Sequence, residues 1–494
     1  MIARRFGSVA AAALMLVALG AEPRRAAGPE HLQNWKFFCQ PHHRCVRERN
    51  EMVDVAWMGR HVDWNEVNAL REASDVSRQL HAAGVKHVIV YTDPDLAPYC
   101  GTFPVPGGRF INSFLLPAGV REDGTNPCST STEDESAAHI HAIRGSYAHA
   151  FQHQSSNGDR LYVLAYPDDA KTKYEPFNIG DKDVQNAFTE VTRENAGATD
   201  VLQDDGGGDY NCEPSYGYCG HDAGYGRPSS GSPSCAHVDH AEWCYLFGAT
   251  AVEWDRRGSP SNPRGAQQAF LDDAVTLTDA STQPVIANNG GAADAYSMQW
   301  VRRATRLEGI MLENVWGDIS EPHWVNNANA ALLYHALHKY VIEYFGGDGA
   351  SPNVLTQLAS HWIVYDPVYS VEAIIYNFPS GDGIEDGTFP EETVVPSVPL
   401  VAAPASNDVG AFRIAPHLYA REFAVCYDGG APLGGCAAIV NTGAGAAPLP
   451  NLMRPYRRVL VQNTRTSWFR GGRPQWSNAV PREVAGGTGI ILAQ

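Results

Sequence analysis

Positive charge is scarce in this chain: 37 Lys and Arg stand against 55 Asp and Glu over 494 residues, a formal net charge of −18 at pH 7. A protein that grips phosphate backbones needs a basic face, so no nucleic-acid partner is expected. Long apolar runs are also lacking. After Val9–Leu19 (VAAAALMLVAL) nothing approaches the roughly 20 residues of a membrane-spanning helix, and no stable membrane insertion is expected. There is no G-x-G-x-x-G after the first expected strand, no P-loop and no G-x-S-x-G. Dinucleotide, nucleotide and serine-hydrolase chemistry therefore have no support, and no cofactor is expected.

What is present is an ordinary globular composition, 44% hydrophobic and 19% charged, with Gly 47 and Pro 32 pointing to many loops. The length suits a full-size catalytic-type domain with a smaller one appended. Arg4 and Arg5 ahead of Val9–Leu19, with small residues following, read as an export signal over residues 1–21. Ala18-Leu19-Gly20 and Leu19-Gly20-Ala21 are the alternative cleavage sites, and the expected location is secreted or periplasmic. Ten cysteines fall into close pairs, Cys39/Cys45, Cys100/Cys128, Cys212/Cys219, Cys235/Cys244 and Cys426/Cys436. Five local disulfides fit an exported chain. A zinc site from Cys235, His237, His240 and Cys244 is the rival, but the spacing matches no finger pattern, and no metal is expected.

Strand-like runs alternate with helix-like ones. Val53–Met58, Lys86–Asp95, Arg160–Asp169, Asp200–Asp205, Ala249–Asp255, Pro284–Asn289 and Glu308–Glu313 read as seven strands, with Val354–Leu358 a weaker eighth. Helices are expected at 63–83, 133–154, 182–195, 266–280, 296–305 and 326–345. Repeated strand-then-helix units predict a parallel sheet, here a (β/α)8 TIM-type barrel over 30–378. A doubly wound open sheet is the alternative. Beyond the Pro-rich stretch 390–404, short apolar runs at 411–414, 422–427, 437–441, 458–461 and 489–493 predict a small antiparallel β-sandwich over 400–494.

In such a barrel the site lies at the carboxyl ends of the strands. Two stretches stand out there. ATDVLQDDGGGDY runs a short apolar segment into Asp204 and Asp205 and then glycines; GIMLENVWG runs one into Glu313. These three are the candidate catalytic carboxylates, since glycosidic hydrolysis needs two carboxyl groups flanking the bond. Only one of the adjacent Asp204 and Asp205 can face the mouth in register. Around them the strand ends deliver Trp57, Tyr91, Asp93, Tyr166, Asp168, Glu253, Trp254, Asp255, Asn288, Asn314 and Trp316. Aromatic faces that stack on sugar rings, with Asp and Asn for hydroxyls, suit a carbohydrate. Bland readings stand beside these: Asp93 and Asp168 precede turns, Asp204 and Asp205 could cap the next element, and Glu253 or Asp255 could pair with Arg256 or Arg257.

DVLQDDG, GIMLENVWG and the tail YAREFAVCYDGG…CAAIVNTG, with Arg421, Glu422, Phe423, Val440 and Asn441, resemble the glycoside-hydrolase-like (β/α)8 barrel families that carry a C-terminal β domain. The resemblance implies an exported glycoside hydrolase with its carboxylates after strands four and seven, here Asp204 or Asp205 and Glu313. A non-catalytic carbohydrate-binding envelope protein on the same scaffold is the alternative.

Overall fold

The computed structural model describes residues 28–39, 60–67, 78–92, 96–98, 161–165, 173–176, 180, 182–194, 200–203, 217–221, 263–288, 295–313, 315–347, 353–376, 389–449, 451–462 and 471–494. Eight parallel strands form one sheet in strict chain order: β1 Trp35–Cys39, β2 Trp64–Val67, β3 His87–Thr92, β4 Asp200–Gln203, β5 Val285–Asn288, β6 Leu307–Glu313, β7 Tyr340–Gly347 and β8 Ser370–Tyr376. The last strand returns to the first. Asn34, just ahead of β1, bridges Glu372 of β8 in parallel, and the Glu372 N–H donates to Gln33 O at 2.9 Å.

The pleat sorts the side chains into two sets. Ile286, Met311, Ile342, Val371 and Ala373 share one apolar cluster with Trp35, Trp64 and Ile89. Their strand neighbours Val285, Ala287, Ile310, Leu312, Val341 and Ile374 belong to a second, larger core. Apolar residues on both faces make these strands read as nearly continuous hydrophobic runs. Within the first cluster, Tyr340 of β7 meets Trp64 of β2 edge-on, ring centroids 4.9 Å apart, although four strands of the sheet order lie between them. Gly309 makes room for this crowd: a Cβ there would sit 2.7 Å from Ile286 Cδ1 and 2.9 Å from Tyr340 Cβ.

The larger core, whose face is called the outer one, draws on helices as well as strands. Five longer helices are found among the described residues: α1 Lys182–Glu194, α2 Pro263–Ala280, α3 Ala295–Arg303, α4 Glu321–Ala336 and α5 Val354–Val364. The first three match the expected spans to within a few residues. Four expectations are corrected. The start of the expected helix 63–83 is strand β2, and among the described residues of that span 78–83 is helical. Arg160–Asp169 does contain a strand, Leu161–Ala165, but it pairs antiparallel in a separate four-stranded sheet with Leu96–Pro98, Lys173–Pro176 and Gly217–His221. The expected helix 326–345 is α4 followed by strand β7. Val354–Leu358 is helix, not strand, its N-terminus capped by Asn353, whose side chain accepts from Thr356 N at 3.2 Å. Val53–Met58, Ala249–Asp255 and helix 133–154 lie outside the described residues.

The C-terminal region is a seven-stranded antiparallel sheet: β9 Val394–Pro399, β10 Arg413–Ala415, β11 Leu418–Asp428, β12 Ala431–Asn441, β13 Arg458–Val461, β14 Gln475–Ser477 and β15 Thr488–Ala493, ordered β9-β11-β12-β15-β13-β14 with β10 beside β11. Cys426 and Cys436 form a disulfide between β11 and β12, Cα atoms 6.1 Å apart. The other four expected cysteine pairs fall outside the described side chains. In place of the two comparable packed sheets of a sandwich, one face lies on α5 and the other is covered by a small ribbon, Ala447–Pro448 with Glu483–Val484, and the chain around it.

This sheet is fused to the parallel sheet through α5. Every residue of α5 except Leu355 is buried. β15 approaches so closely that a Cβ on Gly489 would lie 2.7 Å from Ala359 Cβ, and Gly489 N donates to Thr356 Oγ1 at 2.8 Å. Trp362 meets Phe423 of β11 edge-on, centroids 5.8 Å apart. The core on the outer face therefore runs without a break into the antiparallel sheet.

Candidate functional site

Three sequence-predicted residues share one end and one pleat face of the parallel sheet. Tyr91, Asn288 and Glu313 each stand two residues beyond a member of the inner cluster, Ile89, Ile286 and Met311 respectively, toward the carboxyl end. The two-residue period of a strand puts those positions on the same face as the residue below. Tyr344 of β7 completes the tier. It follows Ile342 by two residues, is half-buried against the same cluster, and pairs in register with Glu313. Sequence reasoning misses Tyr344 because it falls within the expected helix 326–345. The alternating YVIEYF, rich in aromatic and β-branched residues, is the signal that could find it.

The opposite end of the sheet is closed by aromatics. Trp64 stacks on His87 at 3.8 Å between centroids, Tyr340 packs edge-on against both, and Tyr369 follows against Tyr340 at 5.7 Å. These are residues at or just before the strand starts. The aromatic end and the strand ends that carry Tyr91, Asn288, Glu313 and Tyr344 therefore lie on opposite sides of the apolar cluster.

Trp316 departs from expectation. Expected on the rim as a stacking surface, it is 2% exposed and sits in the outer core against Trp324, centroids 6.0 Å apart. Its Nε1–H donates to Glu343 Oε2 at 2.7 Å. Glu343, on β7, is fully buried, and His361 Nδ1 of α5 lies 2.9 Å from the same oxygen, close in distance but off the hydrogen-bond line. Nearby, His335 Nε2 lies 3.2 Å from Ser370 Oγ. Burial pushes His335 down to about 3, outweighing the opposing pull of Asp366.

The tail motif has a structural explanation. Arg421 donates from Nη1 to the carbonyls of Ile363 (3.1 Å) and Tyr365 (2.8 Å), closing the C-terminal end of α5, and lies over the Phe412 and Phe423 rings. Burial lowers its pKa to about 10. Glu422 accepts from Met453 N and Tyr456 Oη, both at 2.7 Å, and Asn441 Nδ2 donates to the carbonyls of Gly445 and Val484. These residues build the sheet and its junction with α5.

Strand rank is also corrected. Glu313 ends the sixth strand of the sheet, and β4 pairs directly with β5. The expected placement after strand seven does not hold. Asp204 and Asp205 follow β4 in sequence and lie outside the described residues, as do Trp57, Asp93, Tyr166, Asp168, Glu253, Trp254, Asp255 and Asn314. Among the described residues no group of three or more His, Cys, Asp or Glu is arranged to hold a metal ion, and no helix is long and apolar enough to cross a membrane.

No protein-family model and no curated protein sequence matches the chain. Among solved structures it is similar to the α-glucosyl transfer enzyme XgtA, at 9% identity and a TM-score of 0.41, over 94% of this chain and 99% of that one. It is similar to the catalytic domain of β-amylase from Paenibacillus polymyxa at 8% identity and 0.37, over 70% and 93%. It is similar to a pullulanase from Anoxybacillus sp. LM18-11 at 9% and 0.34, over 86% of this chain and 55% of that one. Likeness at this level gives no correspondence between individual residues.

Proposed function

We propose that the chain is an exported glycoside hydrolase on a closed (β/α)8 barrel, with Glu313 and one of Asp204 and Asp205 as its two working carboxyl groups. The observation that carries the reading is the tier at the carboxyl end. In this reading Tyr91, Asn288, Glu313 and Tyr344 take inward positions two residues beyond the apolar cluster or in register with such a residue, where barrel enzymes keep their chemistry. Closure is supported by the Asn34–Glu372 bridge and by the Trp64–Tyr340 contact across the sheet.

Strand spacing supports the pairing of carboxylates. β4 and β6 flank β5, two spacings of about 4.8 Å each, or roughly 10 Å between backbones. Side chains leaning inward from there reach the window of roughly 5 to 9.5 Å that separates the acid from the nucleophile or base. One carboxyl group would protonate the leaving oxygen while the other attacks the anomeric carbon or activates water. Tyr91 and Tyr344 would stack on the sugar, and Asn288 would bond its hydroxyls. In this reading residues 30–378 carry the catalysis and 400–494 cover α5, and the reaction has no redox step and uses no redox cofactor.

The test is hydrolysis of a panel of α- and β-linked polysaccharides by the oxidised protein, with Glu313→Gln beside it. Product from the wild type and a loss of about 10³-fold or more in the variant, at unchanged melting temperature, supports the reading. Equal product from both removes Glu313 from the site. Glycan binding without product from either replaces the hydrolase with a carbohydrate-binding protein.

A further inference from the structure

After Glu313 the chain turns through Val315–Gly317 and enters α4. Two buried contacts pin that turn. Asn327 Nδ2 of α4 donates to Val315 O at 2.6 Å, and Trp316 Nε1 donates to Glu343 Oε2 at 2.7 Å. The second places a carboxylate with no exposure in the outer core, where alternate positions of the strands carry Val341, Leu312 and Ile374. A well-packed apolar residue at such a position is often as stable or more so, so stability gives no reason for a carboxylate there.

The register supplies one. Glu343 pairs with Leu312, and the next residue, Tyr344, pairs with Glu313. The excursion from Glu313 to Trp316 therefore starts and finishes on adjacent residues of β7. Its first end is held by the strand ladder and its second by the indole N–H. His361, 2.9 Å from the same carboxylate oxygen, backs Glu343 from α5.

We infer that Glu343 is a positioning residue, which through Trp316 fixes the end of β6 and so the place of Glu313. The inference rests on the reading of Glu313 above for its activity readout, and on geometry alone for the rest. Trp316→Phe keeps an aromatic ring, smaller than the indole, and removes the N–H. Glu343→Leu fills the space without an acceptor, while Glu343→Gln keeps one. The measurements are kcat and KM on a hydrolysed glycan, and amide hydrogen exchange over residues 313–317.

Trp316→Phe and Glu343→Leu are expected to lower kcat by about 10- to 100-fold, the size of effect a small misplacement produces, with KM within about 2-fold. Both should speed exchange over 313–317, and Glu343→Gln should recover most of each loss. Unchanged kcat and exchange in Trp316→Phe, whatever its melting temperature, would overturn the inference. A wild type that hydrolyses no glycan would sink the hydrolase reading alone. Exchange over 313–317 would then decide the anchor: faster in Trp316→Phe upholds it, unchanged refutes it. If Glu343→Leu does not fold, Trp316→Phe carries the test.

Discussion

On its inner face the parallel sheet carries a compact apolar cluster capped at the carboxyl end by the Tyr91, Asn288, Glu313 and Tyr344 positions; on its outer face it carries a core several times larger that runs into the antiparallel sheet. Both faces bury hydrophobic residues, yet they meet different constraints. In the closed-barrel reading proposed above, the inner face is bounded by the strands themselves, which sets its volume and leaves its open end for polar residues. The outer face is bounded by whatever packs on it. There α5 is so apolar that helices alone do not cover it, and a second sheet is recruited. Stability is concentrated outside, and the candidate chemistry inside. The same strand serves both because its period is two.

The largest expected break in that comparison is deletion of residues 389–494. It would uncover the α5 residues Leu358, Ala359 and Trp362, and the remaining chain is expected to show no cooperative unfolding transition in denaturant, because the outer core loses one whole side. A fragment that still unfolds in one sharp step would show that the parallel sheet is stable by itself.

Smaller and more local, Gly489→Val and Gly309→Val test each face at a glycine with no room for a side chain. Overpacking at Gly489 is expected to cost about 1–3 kcal/mol by forcing β15 off Ala359 and Thr356, while any hydrolysis below the melting transition stays near wild type. The same change at Gly309 is expected to cost a similar amount and also to reduce activity, since Met311 and Glu313 lie on the same strand. Chemical denaturation with parallel rate measurements separates the two. Equal effects on activity would remove the functional distinction between the faces.

The smallest expected effect is a slope. His335 sits at about 3 in the folded protein, against 6.5 for the free side chain. Between those values the unfolded chain binds a proton that the folded one refuses. Its contribution is full above pH 6.5 and is lost as pH falls through the window, by up to about 1.4 kcal/mol per pH unit. Unfolding free energies measured from pH 6.5 to 4.5 should fall less steeply for His335→Gln than for the wild type. Parallel lines would mean that His335 is not held neutral in the outer core.

Much of this arrangement is legible in the order of residues. VIAN and GIMLE read as buried strands ending in Asn288 and Glu313, and the runs at 422–427, 437–441, 458–461 and 489–493 fall within strands of the antiparallel sheet. Other segments are not legible, for identifiable reasons. The pattern at 326–345 continues smoothly from helix into strand because the stop at His338 uses no glycine. His338 adopts a φ of +58°, with its N–H donating to His335 O and the Lys339 N–H to Tyr334 O, a Schellman ending on a residue that rarely makes one. Val354–Leu358 is short and apolar, and periodicity cannot separate a fully buried helix from a strand. The strand character of Trp64–Val67 is hidden by a helical pattern downstream.

Sequence alone determined what each stretch could bury: strands with apolar residues on both faces, an acidic surface, and carboxylates at strand ends where backbone leaves the ladder. Those are local consequences of side-chain chemistry and of the two-residue period. Only the tertiary structure decided that Glu313 ends the sixth strand rather than the seventh, that Trp316 turns into the core, and that Arg421 closes a helix far away in the chain. Each of those depends on which segments become neighbours, and that follows from filling a shared volume on both sides of the sheet, a condition no single stretch of sequence contains.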